Sequence, residues 1–228
     1  MIQTHAPKLV ILGPQGAGKG TQGTRLSHHL DIDHISTGDL LRDAMANETP
    51  TGIEAKRYMD AGELVPDDVV LRMLGERLGE PTTSRRGFLL DGFPRKVTQA
   101  EHFEAMYPDQ AIDAAILLSL PLELVYRRLD ARRVCGSCRS ILAAPDARID
   151  AIACPVCNGV AIRRADDTPD AIAQRLRLYK AETEPLVEYY SQRGVLVTID
   201  GCGSQEAVFD AILRSIRPNL WGTGLAVG

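Results

Sequence analysis

The run Gly13-Pro-Gln-Gly16-Ala17-Gly18-Lys19-Gly20-Thr21 ends a glycine-rich stretch with a lysine, in the pattern G-x-x-x-x-G-K. Glycines let a backbone wrap closely around phosphate oxygens, so that amide N–H groups and the positive end of a following helix face the anion. Gly16, Ala17, Gly18, Lys19, Gly20 and Thr21 are therefore the candidate contacts to a nucleoside triphosphate, with Lys19 reaching its β and γ phosphates. Gly20 stands where many such loops carry Ser or Thr, which leaves Thr21 as the nearest hydroxyl for magnesium. A second chemistry lies further along, where Cys135-Gly-Ser-Cys138 and Cys154-Pro-Val-Cys157 form two C-x-x-C pairs and Cys202 is left over. Four thiolates complete a tetrahedral zinc shell with no position open to substrate, which is the pattern of a structural ion. Iron in the same shell, free thiols and disulfides are the other readings.

A phosphate loop must lie between a strand and a helix. Residues 8–12, Lys-Leu-Val-Ile-Leu, read as the strand, and 19–30 has the composition of the helix. Further strand candidates at 33–36, 87–91, 114–119 and 195–200 are separated by helical patterns. That alternation predicts an α/β fold with a mostly parallel sheet covered on both faces. Two stretches break it: 36–65 carries helices but no strand, and 131–167 holds the cysteine pairs. Both are expected as insertions over the ligand-bearing edge of the sheet. Residues 120–134 read as a helix bearing Arg127, Arg128, Arg132 and Arg133, and the tail after Pro218 reads as a loosely held end with Trp221 as its anchor.

At 228 residues the chain can bury a substantial core, and 44% hydrophobic with 25% charged residues is ordinary for a globular protein. The net charge of -4 argues against a broad nucleic-acid or anionic-membrane footprint. Residues 1–7 lack a basic segment followed by a long apolar one, so no signal peptide is read and a cytosolic chain is expected. The five histidines, His5, His28, His29, His34 and His102, read as surface or structural residues.

Three more runs stand out: His34-Ile-Ser-Thr37-Gly-Asp-Leu-Leu-Arg42, Ala61-Gly-Glu63-Leu64-Val65-Pro-Asp-Asp68, and Asp91-Gly92-Phe93-Pro94-Arg95 with Gln99 after it. Together with the phosphate loop and the paired cysteines, they make the chain resemble the adenylate kinase family, in the family's order, from about residue 8 to about residue 216. The resemblance implies a doubly wound, five-stranded parallel sheet with helices on both faces as the core (1–35, 66–130 and 168–228). It also implies a helical insert for a nucleoside monophosphate (36–65) and a small zinc-bearing lid (131–167).

The activity so implied is reversible, magnesium-dependent phosphoryl transfer from ATP to AMP, giving two ADP, by a cytoplasmic monomer that needs no nucleic acid or membrane. Thr37 and the backbone of Glu63, Leu64 and Val65 would meet the AMP base and ribose. Gln99 would read the adenine edge, and Gly92, Phe93 and Pro94 would complete the acceptor site. Arg42 and Arg95 would hold the AMP phosphate, because a planar fork of N–H donors suits a phosphate dianion. Arg128 and Arg132 would contact ATP, and Arg164 and Arg175 would close on the transferring group. Arg127, Arg133 and Arg163 would be solvated neighbours.

Asp91, at a strand's end, is the candidate for orienting waters on Mg2+, or else a cap on the turn after it. Asp166 and Asp167 read as lid-closure contacts, as a helix start before Pro169, or as both. Phosphoryl transfer needs positive charge where negative charge develops and no general base, so no histidine or glutamate has to be cast as catalyst. The lid departs from the family: Ser140-Ile141-Leu142-Ala143 stands where zinc-bearing relatives carry Thr-Tyr-His, so Ile141 and Leu142 are left to cover the donor base, with a backbone contact from Gly203. A pyrimidine-accepting kinase and a nucleic-acid-binding zinc ribbon are the competing readings.

Overall fold

The computed structural model describes residues 6–221. Strand β1 (Lys8–Leu12) leads through the glycine loop to α1 (Lys19–Leu30) and β2 (Asp33–Ser36). Helices α2 (Thr37–Ala46), α3 (Pro50–Ala61), α4 (Asp67–Leu78) and α5 (Pro81–Arg86) precede β3 (Phe88–Asp91). Helix α6 (Val97–Met106), β4 (Ala114–Ser119) and α7 (Leu122–Ala131) follow. Four short strands come next, β5 (Arg132–Cys135), β6 (Ile141–Ala143), β7 (Ala151–Ala153) and β8 (Val160–Ile162). The chain then returns through α8 (Pro169–Leu178), α9 (Pro185–Gln192), β9 (Leu196–Asp200) and α10 (Gln205–Trp221).

The main sheet has the order β2-β3-β1-β4-β9 with every pairing parallel, as the alternation predicts. Its strands are apolar on both faces because both are covered. Leu9 and Ile11 pack with Leu26 of α1 and with Val208, Ile212 and Ile216 of α10. Val10 and Leu12 point the other way, into a cluster with Val69 and Leu74 of α4, Phe103 of α6 and Leu186 of α9. Each such fully buried side chain contributes about 1.5–3 kcal/mol relative to exposure. Register aligns Ile11 with Asp91 and Ser36 with Asp91, so the phosphate loop, the start of α2 and the turn after β3 rise from neighbouring strand ends.

Residues 120–134 are not one helix. α7 stops at Ala131, Arg132 is extended, and Arg132 to Cys135 form β5, pairing antiparallel with β6 and β8 in a separate sheet of order β6-β5-β8-β7. Long-range pairing has overridden local helix propensity there. The helix before the end runs through Pro218 to Trp221, so the expected loose tail reduces to residues 222–228, which lie outside the described residues, as does His5. The helix start before Pro169 is capped by Thr168, whose Oγ1 accepts from Ala171 N at 3.2 Å, which removes the capping role expected of Asp166 and Asp167.

Candidate functional site

A cleft of about 550 Å³ opens over the C-terminal edge of the main sheet and is lined by the glycine loop, both inserts and α8. Gly16 (φ 84°) and Gly18 (φ 101°) take left-handed backbone conformations that only glycine adopts without strain, and they shape the loop before α1. Lys19 Nζ donates to the carbonyls of Gly13 (2.8 Å) and Pro14 (3.0 Å), so its ammonium is held over the loop. Burial lowers the Lys19 pKa to about 8, against a partly compensating pull from Asp91. A β-carbon on Gly20 would lie 3.0 Å from Ile141 Cδ1, so the bare backbone at position 20 gives the lid residue Ile141 its close approach.

The Lys19 shift has a measurable sign. Its folded pKa lies below the ordinary 10.5, so the fold penalises the charged lysine in full below about pH 8 and less as pH rises towards 10.5. A triphosphate reverses that penalty by pairing with the ammonium. Binding of a triphosphate near pH 8 is therefore expected to take up protons, seen as a calorimetric enthalpy that changes with buffer ionisation heat. A buffer-independent enthalpy there would contradict the assignment.

Asp91 sits at the end of β3 with its Oδ2 3.5 Å from His34 Nε2. Burial would raise its carboxyl pKa, but His34 and Lys19 outweigh burial and hold it below the ordinary carboxylate range. An ionised carboxylate thus faces the phosphate loop. His34 packs its ring against Gly23 of α1, and His28, His29 and His102 are exposed, in keeping with structural or surface roles.

On the acceptor side, Thr37, Glu63, Leu64, Val65, Gly92, Arg95 and Gln99 line one small recess joined to the cleft. Arg95 Nε donates to Gly92 O (2.9 Å), Arg95 N donates to Gln99 Oε1 (2.7 Å), and Gln99 Nε2 donates to Asp67 Oδ1 (2.7 Å). Burial, then the charge of Arg175, press the Arg95 pKa down to about 10, so it stays cationic at neutral pH. Pro94 lines the cleft. Phe93 does not: it is buried among Val10, Leu90 and Phe103, so the structure separates it from the other acceptor candidates.

Four of the remaining arginines, Arg42, Arg132, Arg164 and Arg175, lie against carboxylates. Arg132 makes a two-pronged contact with Asp167, through Nε at 2.9 Å and Nη2 at 2.5 Å, and Gln15 Nε2 adds a bond to Asp167 Oδ1 at 3.0 Å. Arg175 Nη2 donates to Asp166 Oδ2 (2.7 Å) and Met59 O (3.2 Å). Arg42 lies 3.7 Å from Asp166, and Arg164 lies 3.8 Å from Asp39. Burial would raise the Asp166 pKa, but Arg175, Arg42 and Arg164 hold it below the ordinary value. Arg128 donates to Ala17 O (3.3 Å) and Gly201 O (2.8 Å), which pins it against the loop. Across the mouth of the cleft, Arg139 of the cysteine insert donates to Asp43 of α2 and joins the two inserts directly.

The four cysteine sulfurs lie within 4.8 Å of one another. The approaches Cys135–Cys157 and Cys138–Cys154 are 3.5 Å, too long for disulfide bonds, and all four thiols are free. Sulfurs about 2.3 Å from a tetrahedral zinc would stand about 3.8 Å apart, so the cluster fits such an ion. Gly159 keeps the space clear, since a β-carbon there would sit 3.2 Å from two of the sulfurs.

Arg133 corrects an expectation. It is not solvated but 0% exposed, and its guanidinium donates to the carbonyls of Asp130 (2.9 Å), Arg132 (2.7 Å), Ala147 (2.7 Å) and Ile149 (2.8 Å). Arg163 shares this role through Asp130 Oδ1 (3.3 Å) and Ala147 O (3.1 Å), while Arg127 is exposed at the cleft's edge. Sequence reasoning also passed over Asp39, Gln15 and Met59. Asp39 carried a signal, because its i,i+3 spacing from Arg42 on α2 is that of a helical ion pair; a carbonyl such as that of Met59 carries none.

A family model described as "Adenylate kinase" matches residues 11–195. Adenylate kinase of Thermodesulfovibrio yellowstonii is 46% identical over 210 residues, 90% of this chain and 96% of that protein. Adenylate kinase of Clostridium tetani is 42% identical over 208 residues (90% and 95%), and that of Archaeoglobus fulgidus 43% over 217 residues (92% and 99%).

Proposed function

This chain belongs to the adenylate kinase family, and from that premise we propose how its own residues divide the transfer of a phosphoryl group from ATP to AMP. One observation carries the reading: Lys19, Arg42, Arg95, Arg128, Arg132, Arg164 and Arg175 surround one cleft with Asp91 at its floor. The loop amides of Gly16 to Thr21 hold the donor phosphates, and Lys19 exchanges the Gly13 and Pro14 carbonyls for β and γ oxygens. Arg128 and Arg132 steady the donor. Arg42 and Arg95 hold the AMP phosphate, with Thr37, Gln99 and the Glu63 to Val65 backbone around its nucleoside. Arg164 and Arg175 leave Asp39 and Asp166 to meet the charge spreading over the γ-phosphoryl oxygens, where fixed donors act most strongly in a site closed to water.

Asp91, ionised at the end of β3, would orient the waters of a magnesium ion bound with ATP, and that ion would supply neutralising charge to the donor phosphates. Residues 36–65 and 131–167 act as the monophosphate-binding insert and the lid, closing over a core made of 1–35, 66–130 and 168–228. Closure excludes water, which would otherwise accept the phosphoryl group. The four cysteines brace the lid around zinc, since so short an insert lacks burial enough to hold itself. We read the enzyme as a cytoplasmic monomer whose partners are ATP, AMP and ADP, without nucleic acid or membrane. No helix among the described residues is long and apolar enough to cross a membrane.

A coupled assay is expected to show Mg2+-dependent ADP formation from ATP and AMP, and metal analysis is expected to find about one zinc per chain. Less than about half an equivalent of metal, with all five thiols titratable, would remove the zinc assignment.

A further inference from the structure

Between Gly13 and Lys19 the phosphate loop carries a single side chain able to hydrogen-bond, that of Gln15, since its neighbours are Pro14, Gly16, Ala17 and Gly18. Gln15 Nε2 donates to Asp167 Oδ1 at 3.0 Å, which ties the loop to a residue 152 positions away, just before α8. A carboxylate only accepts, so the amide must turn its nitrogen to Asp167. Gln15 Oε1 is buried without a partner among the described residues, which leaves the bond to Asp167 to orient the amide. The Asp167 side chain is fully buried and also holds Arg132, whose Nε and Nη2 both donate to it while Nη1 does not. Gln15 and Arg132 both line the cleft.

Resting on the reading of the donor site given above, we propose that Gln15 is a positioning residue: it holds Asp167 to the phosphate loop, and Asp167 in turn presents Arg132 Nη1 to the donor phosphates that the loop amides bind. An arginine free to change rotamer gives up that freedom when it meets a phosphate, whereas one already fixed by two bonds to a carboxylate has little left to lose. Gln15 sets where that carboxylate stands relative to the loop. It also takes up Asp167 Oδ1, the oxygen 3.6 Å from Arg175 Nη1. Without the amide, a buried carboxylate short of one donor turns towards that second cation and draws its oxygens off Arg132.

The test is titration calorimetry of the full chain with ATP and, separately, with AMP, beside a coupled assay. Gln15→Met keeps the length of the side chain and removes its amide. It is expected to weaken ATP binding by about 10-fold, the effect of losing one hydrogen bond to a charged group. AMP binding and turnover at saturation should stay within about 2-fold of the parent, because a group that steadies the donor binds ground and transition states alike. ATP binding changed by less than about 2-fold, an equal loss for both nucleotides, or a fall in turnover without weaker ATP binding overturns the proposal. In an Arg132→Met background, Gln15→Met should change ATP binding no further. A further loss of about 10-fold there would mean that Gln15 acts on the phosphates itself, which also overturns it. If the parent makes no ADP from ATP and AMP, the reading of the site fails; if it does while Gln15→Met binds ATP as the parent does, only this inference falls.

Discussion

Arg95→Ala is expected to lower turnover at saturating AMP by about 10³-fold, the size of effect seen when a fixed donor to developing charge is lost. Among the described residues the guanidinium has one hydrogen-bond partner, the Gly92 carbonyl; burial and the charges of Arg175 and Arg42 disfavour it, and Asp91 offsets only part of this. It is held in an unfavourable electrostatic position that an arriving phosphate relieves. The bonds through which residue 95 supports the structure use its backbone: its N–H to Gln99 and its carbonyl to the Thr183 hydroxyl at 2.9 Å. Both survive in alanine, so the melting temperature should stay within a few degrees of the parent. A coupled assay beside a thermal melt checks both halves, and wild-type turnover at saturating AMP would take Arg95 out of the site.

Arg133→Met should produce the largest stability loss, confined to the lid. The substitution keeps much of the stem's volume but strips the donors from the carbonyls of Asp130, Arg132, Ala147 and Ile149 around a fully buried position. Each stranded acceptor costs about 1–3 kcal/mol, and partial rearrangement leaves a net loss of about 3–5 kcal/mol. The lid's small apolar cluster of Cys135, Cys154 and Ala161 is separate from the clusters on either face of the main sheet, so the loss should not spread to the core. Hydrogen exchange should accelerate through β5 to β8 while β1, β3 and β4 keep their protection, and KM for ATP should rise as Arg132 loses its fixed strand. Unchanged exchange in the lid would show that the arginine merely fills space.

How much could be read beforehand depended on the range of the interactions involved. The five core strands and α1 were legible because each is a local run whose apolar pattern requires cover on both faces. The phosphate loop, the cysteine pairs and the Ser36 to Arg42 run were legible because their chemistry depends on short spacings. Residues 120–134 were misread because an arginine-rich run looks helical until β6 and β8 are there to pair with it. The Phe93 ring points into the core, a direction that membership of a motif does not reveal.

Amino-acid order alone therefore determined the glycine loop, the paired cysteines and the alternation that builds a parallel sheet, since glycine conformations, thiol spacing and strand periodicity act over a few residues. Only the tertiary structure decided that Arg133 is an internal brace, that Asp166 and Asp167 hold arginines rather than cap a helix, and that Ile141, Leu142 and Ala143 line one wall of the cleft. Such contacts join groups that local pattern does not relate, the carboxylate partners of Arg132 and Arg139 lying 35 and 96 residues away. A buried guanidinium is stable only where carbonyls converge, and a strand shows which residue faces which side only once its neighbours are in register.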